Sequence, residues 1–209
     1  MDTHYSKLDL LLMEFQNSIL TPRAVKRASP AEHIPEGSLS AEDKKLCASL
    51  MRVNHTGEIC AQALYLGQAF VAKNEQTRAH LFNAADEEAD HLAWCAKRLD
   101  ELSAHPSILN LFFFSTSVLT GMLAGLASDK ISLGFIAETE QQVAEHLSDH
   151  LQRLPSDDKK SHAIISQMHM DEIKHQNDAL AAGGETLPEY IQILMRLSAI
   201  VMTKTTYYV

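Results

Sequence analysis

A chain of 209 residues with 45% hydrophobic side chains suits one domain, or one domain with a terminal arm. Eight Gly and six Pro leave little room for the many turns of an all-β fold. A formal net charge of −9 argues against a nucleic-acid surface, and the three scattered cysteines, with no C-x-x-C pair, argue against a thiolate zinc site, a rubredoxin-like module or a disulfide framework.

The N-terminus does not read as a secretory signal. Asp2 is acidic, and the basic cluster of Arg23, Lys26 and Arg27 follows the apolar run instead of preceding it. Leu8 to Leu20 predicts an amphipathic helix, lying on a membrane surface or docked on the rest of the chain. Residues 21–39 are rich in Pro, Ser and Gly, so residues 1–39 form an arm and linker and residues 40–209 the main domain. Ser40, with Asp43 three residues on, opens a helix from Ala41 to Lys73. A second runs from Gln76 to Ser103. A third runs from Ile131 to Leu154 and stops before Pro155. Ser156 is a good N-cap for a fourth, Asp157 to Ala182, which Gly183-Gly184 closes. Pro188 suits the first turn of a fifth, ending near Met202. Leu81, Ala84, Ala85, Leu92, Cys95, Leu99 and Leu102 make one apolar stripe of the second helix. Leu133, Ile136, Ala137, Val143, Ala144, Leu147, Leu151 and Leu154 make one of the third. Cys47, Cys60 and Cys95 then read as reduced thiols within helices.

Ile108 to Ala127 stands apart: twenty residues without a charge, long enough to span a bilayer. It also carries Ser115, Thr116, Ser117, Thr120, Gly121 and Gly125, and a span would separate the helices on either side of it. A buried connector, or a segment lying in the membrane interface, is the preferred reading.

Two Glu-x-x-His motifs occur, Glu88 with His91 and Glu172 with His175. With 15 Glu and 11 His, about 0.8 such matches arise by chance, so the count alone says nothing. Taken singly, each motif reads as well as a surface ion pair and a satisfied core histidine. Their register says more. Glu88 lies between Ala84/Ala85 and Leu92, and Glu172 between Met168 and Ala179, where core residues belong. A carboxylate buried there without a partner is costly, and a shared cation removes that cost. Each motif also follows a helix with one more inward glutamate, Glu58 or Glu140. The chain thus reads twice as a helix with Glu followed by a helix with Glu-x-x-His. Residues three apart share one helix face, so Glu and His of a motif can reach one metal. Four carboxylates and two imidazoles suit two iron or manganese ions, the ligand set of ferritin-like bundles. Asp171 and Glu87 each precede a motif glutamate and could accept the free N–H of a metal-bound imidazole from a neighbouring helix; a solvated surface serves equally for Glu87. His55 is one turn from Glu58. Of His146 and His150, only His146 comes near the core seam.

The stretch Met51-Arg-Val-Asn-His-Thr-Gly-Glu58, the run Asp86-Glu-Glu88-Ala-Asp-His91, Ala137-Glu-Thr-Glu140, Asp171-Glu172-Ile-Lys-His175 and the ending Val201-Met-Thr-Lys-Thr resemble the demethoxyubiquinone hydroxylases. The resemblance implies an all-α, ferritin-like four-helix bundle with additional N-terminal, connecting and C-terminal helical segments. It implies a di-iron monooxygenase of ubiquinone biosynthesis that uses O2 to hydroxylate a polyprenylated methoxy-methyl-benzoquinol. The iron ligands would be Glu58, Glu88, His91, Glu140, Glu172 and His175, with Glu88 and Glu172 bridging. The reductant would be the quinol itself or an external NADH-linked donor. The protein would sit peripherally on the cytoplasmic side of a bacterial cell membrane. Its partners would be the prenylated quinol, the membrane surface, other ubiquinone-biosynthesis proteins and a second copy of the chain. Where some members carry a tyrosine after the histidine matching His146, this chain has Leu147. The rival readings are a ferroxidase or iron-binding bundle and a non-catalytic membrane-associated bundle.

Overall fold

The structure is a computed structural model that describes Asp9 and residues 26–209; the Leu8–Leu20 helix expected from the sequence lies outside the described residues. Six helices and no strand occur in residues 26–209: α1 (Ala41–Val71), α2 (Glu75–Glu101), α3 (Asn110–Ala127), α4 (Asp129–Arg153), α5 (Lys159–Ala181) and α6 (Glu189–Thr206).

The expected start of α1 is found. Ser40 Oγ accepts the Asp43 N–H at 3.0 Å and donates to Asp43 Oδ2 at 2.7 Å, satisfying one of the amides a helix start leaves unpaired. The start of α5 differs from expectation. Asp158, not Ser156, is the cap: its Oδ1 accepts the Ser161 N–H at 3.0 Å and also receives Arg98 Nη2 at 2.8 Å. A carboxylate cap held by a guanidinium binds more strongly than a serine hydroxyl. α2 stops at Glu101, two residues early, because the chain turns through Ser103 with φ 57°. Gly183, with φ 105°, closes α5 where the glycine pair predicted.

α1 packs along α2 and α4 along α5, and the two hairpins meet as a four-helix bundle. Two apolar layers fill it. One, toward the α1 N-terminus, contains Leu50, Met51, Cys95, Leu99, Leu147, Ile165 and Met168. The other, toward its C-terminus, contains Tyr65, Ala69, Leu81, Leu133, Ile136 and Ala179. Cys47 and Cys95 are buried free thiols, as the sequence reading expected, and Cys60 is half-buried.

The apolar segment after α2 is neither a buried connector nor a detached span. As α3 it lies against α1 at a very close crossing. A Cβ on Gly67 would stand 2.1 Å from the Val118 carbonyl oxygen, and one on Gly121 would stand 2.1 Å from that of Leu64. Any larger residue there pushes two backbones apart, an overpacking cost of about 1–3 kcal/mol. The inner residues Phe114, Val118 and Ala124 are buried, while Leu111, Phe112, Leu119, Leu123 and Leu126 on the outer face are exposed. By length and composition α3 is apolar enough to cross a membrane. α6 is similar in one respect. It touches α1 and α4, yet Ile193, Leu194, Leu197, Ile200 and Val201 are exposed. Arg52 ties the two elements together, donating to the carbonyls of His105 before α3 and Tyr207 after α6 at 2.9 and 3.0 Å.

Candidate metal centre

Between the two apolar layers the bundle turns polar. Glu58 from α1, Glu88 and His91 from α2, Glu140 from α4, and Glu172 and His175 from α5 converge there, each less than 8% exposed. The six fall into two overlapping groups, Glu58, Glu88, His91, Glu172 and Glu88, Glu140, Glu172, His175, whose donor atoms lie within 4.8 Å of one another. Glu88 and Glu172 belong to both groups. All six residues singled out from the sequence are therefore brought together, and helical spacing explains how: Glu and His three apart share one face of α2 and of α5.

The orientation of the imidazoles is specific. His91 Nδ1 faces inward, 2.9 Å from Glu88 Oε2, 3.1 Å from Glu172 Oε1 and 3.7 Å from Glu58 Oε2. His175 Nδ1 does likewise, 3.0 Å from Glu88 Oε1 and 3.1 Å from Glu172 Oε2. The outward nitrogens meet carboxylates in a crossed pattern. His91 Nε2 meets Asp171 Oδ2 at 2.9 Å and His175 Nε2 meets Glu87 Oε2 at 2.7 Å. Each helix that carries a motif thus also supplies, from the residue before its glutamate, the outer partner of the other motif's histidine. The expectation for Asp171 and Glu87 holds in both cases. Such a partner fixes the ring and keeps the proton on Nε2, which leaves Nδ1 free to ligate.

The electrostatics of the cage favour a cation. Burial pushes the Glu58 and Glu140 carboxyls well up, and neighbouring carboxylates add to it. Burial acts the same way on Glu88, but the imidazoles of His91 and His175 outweigh it and hold Glu88 below the usual range. Burial opposes charge on both histidines. The surrounding carboxylates nevertheless raise His91 well above its ordinary value and push His175 up to about 12. Without a cation the cage therefore holds extra protons. Glu88 Oε1 and Glu172 Oε1 face only the imidazole nitrogens already described, and Glu140 Oε1 is buried with no donor to accept from. Buried oxygens without donors are rare and costly. The donor set is all carboxylate and imidazole, with no thiolate, which fits two iron or manganese ions better than zinc.

Other polar residues were not legible as part of this region. Arg27 and Asp90 sit on the His91 side, where Arg27 Nη1 donates to Asp171 Oδ2 at 2.8 Å and Nε to Asp90 Oδ2 at 3.1 Å. His55 is buried and burial lowers it to about 4, but it gives no donor to either group. His150 departs from expectation. It is buried, and its ring centroid lies 3.9 Å from that of His146. Asn54, one turn before Glu58, is buried with both amide atoms unpartnered. At half-buried Gly57, the residue before Glu58, an added Cβ would meet nothing within 4 Å.

Fold and site together define a ferritin-like helical bundle with a buried carboxylate–imidazole cage. Residues 45–206 match the family described as ubiquinone biosynthesis protein COQ7. A relative from Pseudomonas aeruginosa (strain LESB58) is 48% identical over 210 residues, covering 99% of this chain and 98% of the relative. One from Pseudomonas fluorescens (strain Pf-5) is 50% identical over 208 residues, covering 98% and 97%. One from Ectopseudomonas mendocina (strain ymp) is 49% identical over 210 residues, covering 99% and 98%. All three are enzymes named 3-demethoxyubiquinol 3-hydroxylase. The chain belongs to the COQ7 family.

Proposed function

We propose that this chain is a di-iron monooxygenase that hydroxylates a polyprenylated demethoxyubiquinol at the membrane surface. The observation that carries the reading is the cage itself: two overlapping four-donor groups that share Glu88 and Glu172. Glu58 and His91 would hold one ion, Glu140 and His175 the other, and Glu88 and Glu172 would bridge. When bound, the iron pair supplies the electrons that activate O2, replenished by the quinol or by an external NADH-linked donor.

The protein's own residues do the remaining work. The apolar layers on either side of the cage exclude water. Asp171 and Glu87 hold the imidazoles through Nε2. The unpartnered buried amide of Asn54, one turn before Glu58, would take the ring's oxygen substituents. The prenyl tail and the bilayer face α3 and α6. Both helices lie on the α1–α4 side of the bundle with exposed leucines and isoleucines, and this side would rest on the cytoplasmic leaflet. A soluble iron-storage cage has no use for such faces, which favours the hydroxylase over the ferroxidase reading.

The deciding experiment is the quinone profile of cells lacking this chain. The demethoxy precursor is expected to accumulate, and the intact chain is expected to restore the hydroxylated product. A normal profile in the deletion strain would overturn the assignment.

The membrane reading has its own test. Leu123 is 70% and Leu194 60% exposed. Leu123→Glu combined with Leu194→Glu is expected to abolish co-flotation with phospholipid vesicles while metal content stays at the wild-type level. Unchanged flotation would show that these faces are not the docking surface. Each buried CH₂ contributes about 0.8 kcal/mol, so two leucine side chains can decide a reversible attachment.

A further inference from the structure

The two halves of the cage are related by near symmetry on the inside, but their outer sides are held very differently. On the His175 side the outer carboxylate is Glu87, whose side chain is 49% exposed; its other charged contact among the described residues is Lys174 Nζ, at 4.0 Å. On the His91 side the outer carboxylate is Asp171, only 15% exposed, and it is itself held from two directions. Gln167 Nε2 donates to its Oδ1 at 2.9 Å and Arg27 Nη1 to its Oδ2 at 2.8 Å.

Arg27 comes from the segment before α1, not from the bundle; its side chain is 42% exposed but is held at several points. Its own backbone N–H and that of Lys26 donate to the two oxygens of Asp90, at 3.2 and 2.7 Å. Its guanidinium carbon lies 4.9 Å from the Trp94 ring centroid, and Trp94 Nε1 donates to the Arg27 carbonyl at 3.3 Å. Nη2 also stands 3.2 Å from His91 Nε2, a close approach of two donors and not a hydrogen bond when Nε2 is protonated. With His91 Nδ1 turned into the cage, Nε2 carries a proton. Arg27 Nη1 and His91 Nε2 are then two donors converging on one acceptor, Asp171 Oδ2.

We propose that Arg27 is a positioning residue for the metal half-site at His91, and that it makes this half-site the tighter of the two. The inference rests on the reading that the six cage residues hold two metal ions. An imidazole ligates well when its outer nitrogen has one fixed acceptor. Asp171 is fixed by Arg27 and Gln167, whereas Glu87 is half exposed and, beyond His175, has only Lys174 at 4.0 Å to hold it. The first ion to bind therefore occupies the His91 side, and the ion on the His175 side is the exchangeable one. The segment before α1 becomes part of the metal site without contributing a ligand.

The test is an anaerobic ferrous-ion titration of the full chain with and without Arg27→Gln. In a His175→Ala background only the His91 half-site remains, and Arg27→Gln is expected to weaken the ion about tenfold, within the 10–100-fold typical of outer partners. In a His91→Ala background the same change is expected to leave affinity within about twofold, because Glu87 does not depend on Arg27. Should neither single-histidine chain hold an ion, the two-step titration of the intact cage decides instead, with the first step weakened by Arg27→Gln and the second unchanged. Equal weakening of both half-sites, or of neither, overturns the proposal. An otherwise unaltered chain that binds no ferrous ion overturns the underlying metal reading instead.

Discussion

Glu88→Ala or Glu172→Ala is expected to empty both metal positions, whereas Glu58→Ala or Glu140→Ala empties one. The difference follows from membership of the two groups: Glu88 and Glu172 serve both, Glu58 and Glu140 one each. Losing a ligand costs more than losing an outer partner, so affinity should fall by more than about a hundredfold and hydroxylation with it. His175→Ala belongs with the single-ion losses. The helices should survive these changes. Apolar layers on both sides of the cage hold α2 and α5, and the metal-free chain already bears the cost of four buried carboxylates. Replacing Glu140 by leucine should make the metal-free chain harder to unfold while it abolishes activity, the opposite of what a structural residue does. The sign of the pH dependence also follows. Glu58, Glu140, His91 and His175 all hold protons more tightly than usual in the metal-free cage. Metal must displace those protons, so ferrous-ion affinity rises with pH. Iron content, single-turnover hydroxylation and thermal unfolding of the same variants, with ferrous-ion affinity of the unaltered chain measured across pH, check all three statements. Near-normal iron and turnover in both Glu172→Ala and His175→Ala would remove these residues from the site.

The six cage residues were legible because each breaks an apolar stripe. Glu88 and Glu140 occupy core positions on helices whose periodicity is otherwise regular, and burial makes such an exception informative. The same rule points to a residue that went unread. Arg98 lies on the α2 stripe among Cys95, Leu99 and Leu102 and is fully buried, so a charged residue in a core register was visible there too. Arg27 was not legible in this way. It sits in a linker with no periodicity, and its partners Asp90 and Asp171 are 63 and 144 residues distant. Local pattern carries no information about contacts of that separation. The placement of the apolar segment was half legible. Composition marked Ile108 to Ala127 as unusual, but the close crossing of Gly67 and Gly121 needs two backbones in place before it can be seen.

Arg98→Ala should be the most destabilising single substitution outside the cage. Nε donates to Ser161 Oγ at 3.0 Å, Nη1 to Glu36 at 2.7 Å and Glu101 at 2.9 Å, and Nη2 to Glu36 at 2.9 Å and Asp158 at 2.8 Å. One guanidinium thereby joins the linker, the end of α2 and the start of α5. Asp158 has no exposed side-chain surface, so removing Arg98 leaves a buried carboxylate without its cation, a loss of about 3–5 kcal/mol. That is a large part of the roughly 5–15 kcal/mol that holds a domain folded. The mechanism can be separated from simple loss of packing. Adding Asp158→Ser removes the stranded charge while keeping an N-cap, so the double variant should be more stable than Arg98→Ala alone. Glu36 gives the pH signature. The hydrogen bond from Arg98, assisted by its charge and by Lys160, outweighs partial burial and lowers the Glu36 carboxyl from 4.5 to about 2. A folded-state value below the unfolded one stabilises the fold above about pH 4.5 and ceases to as pH falls toward 2. Urea unfolding at pH 7 and pH 3 should show this fading in the wild type and its absence in Glu36→Gln. If Arg98→Ala unfolds within about 1 kcal/mol of wild type, the order of residues 26–40, and with it the seating of Arg27 beside Asp171, must come from the contacts to Asp90 and Trp94 instead.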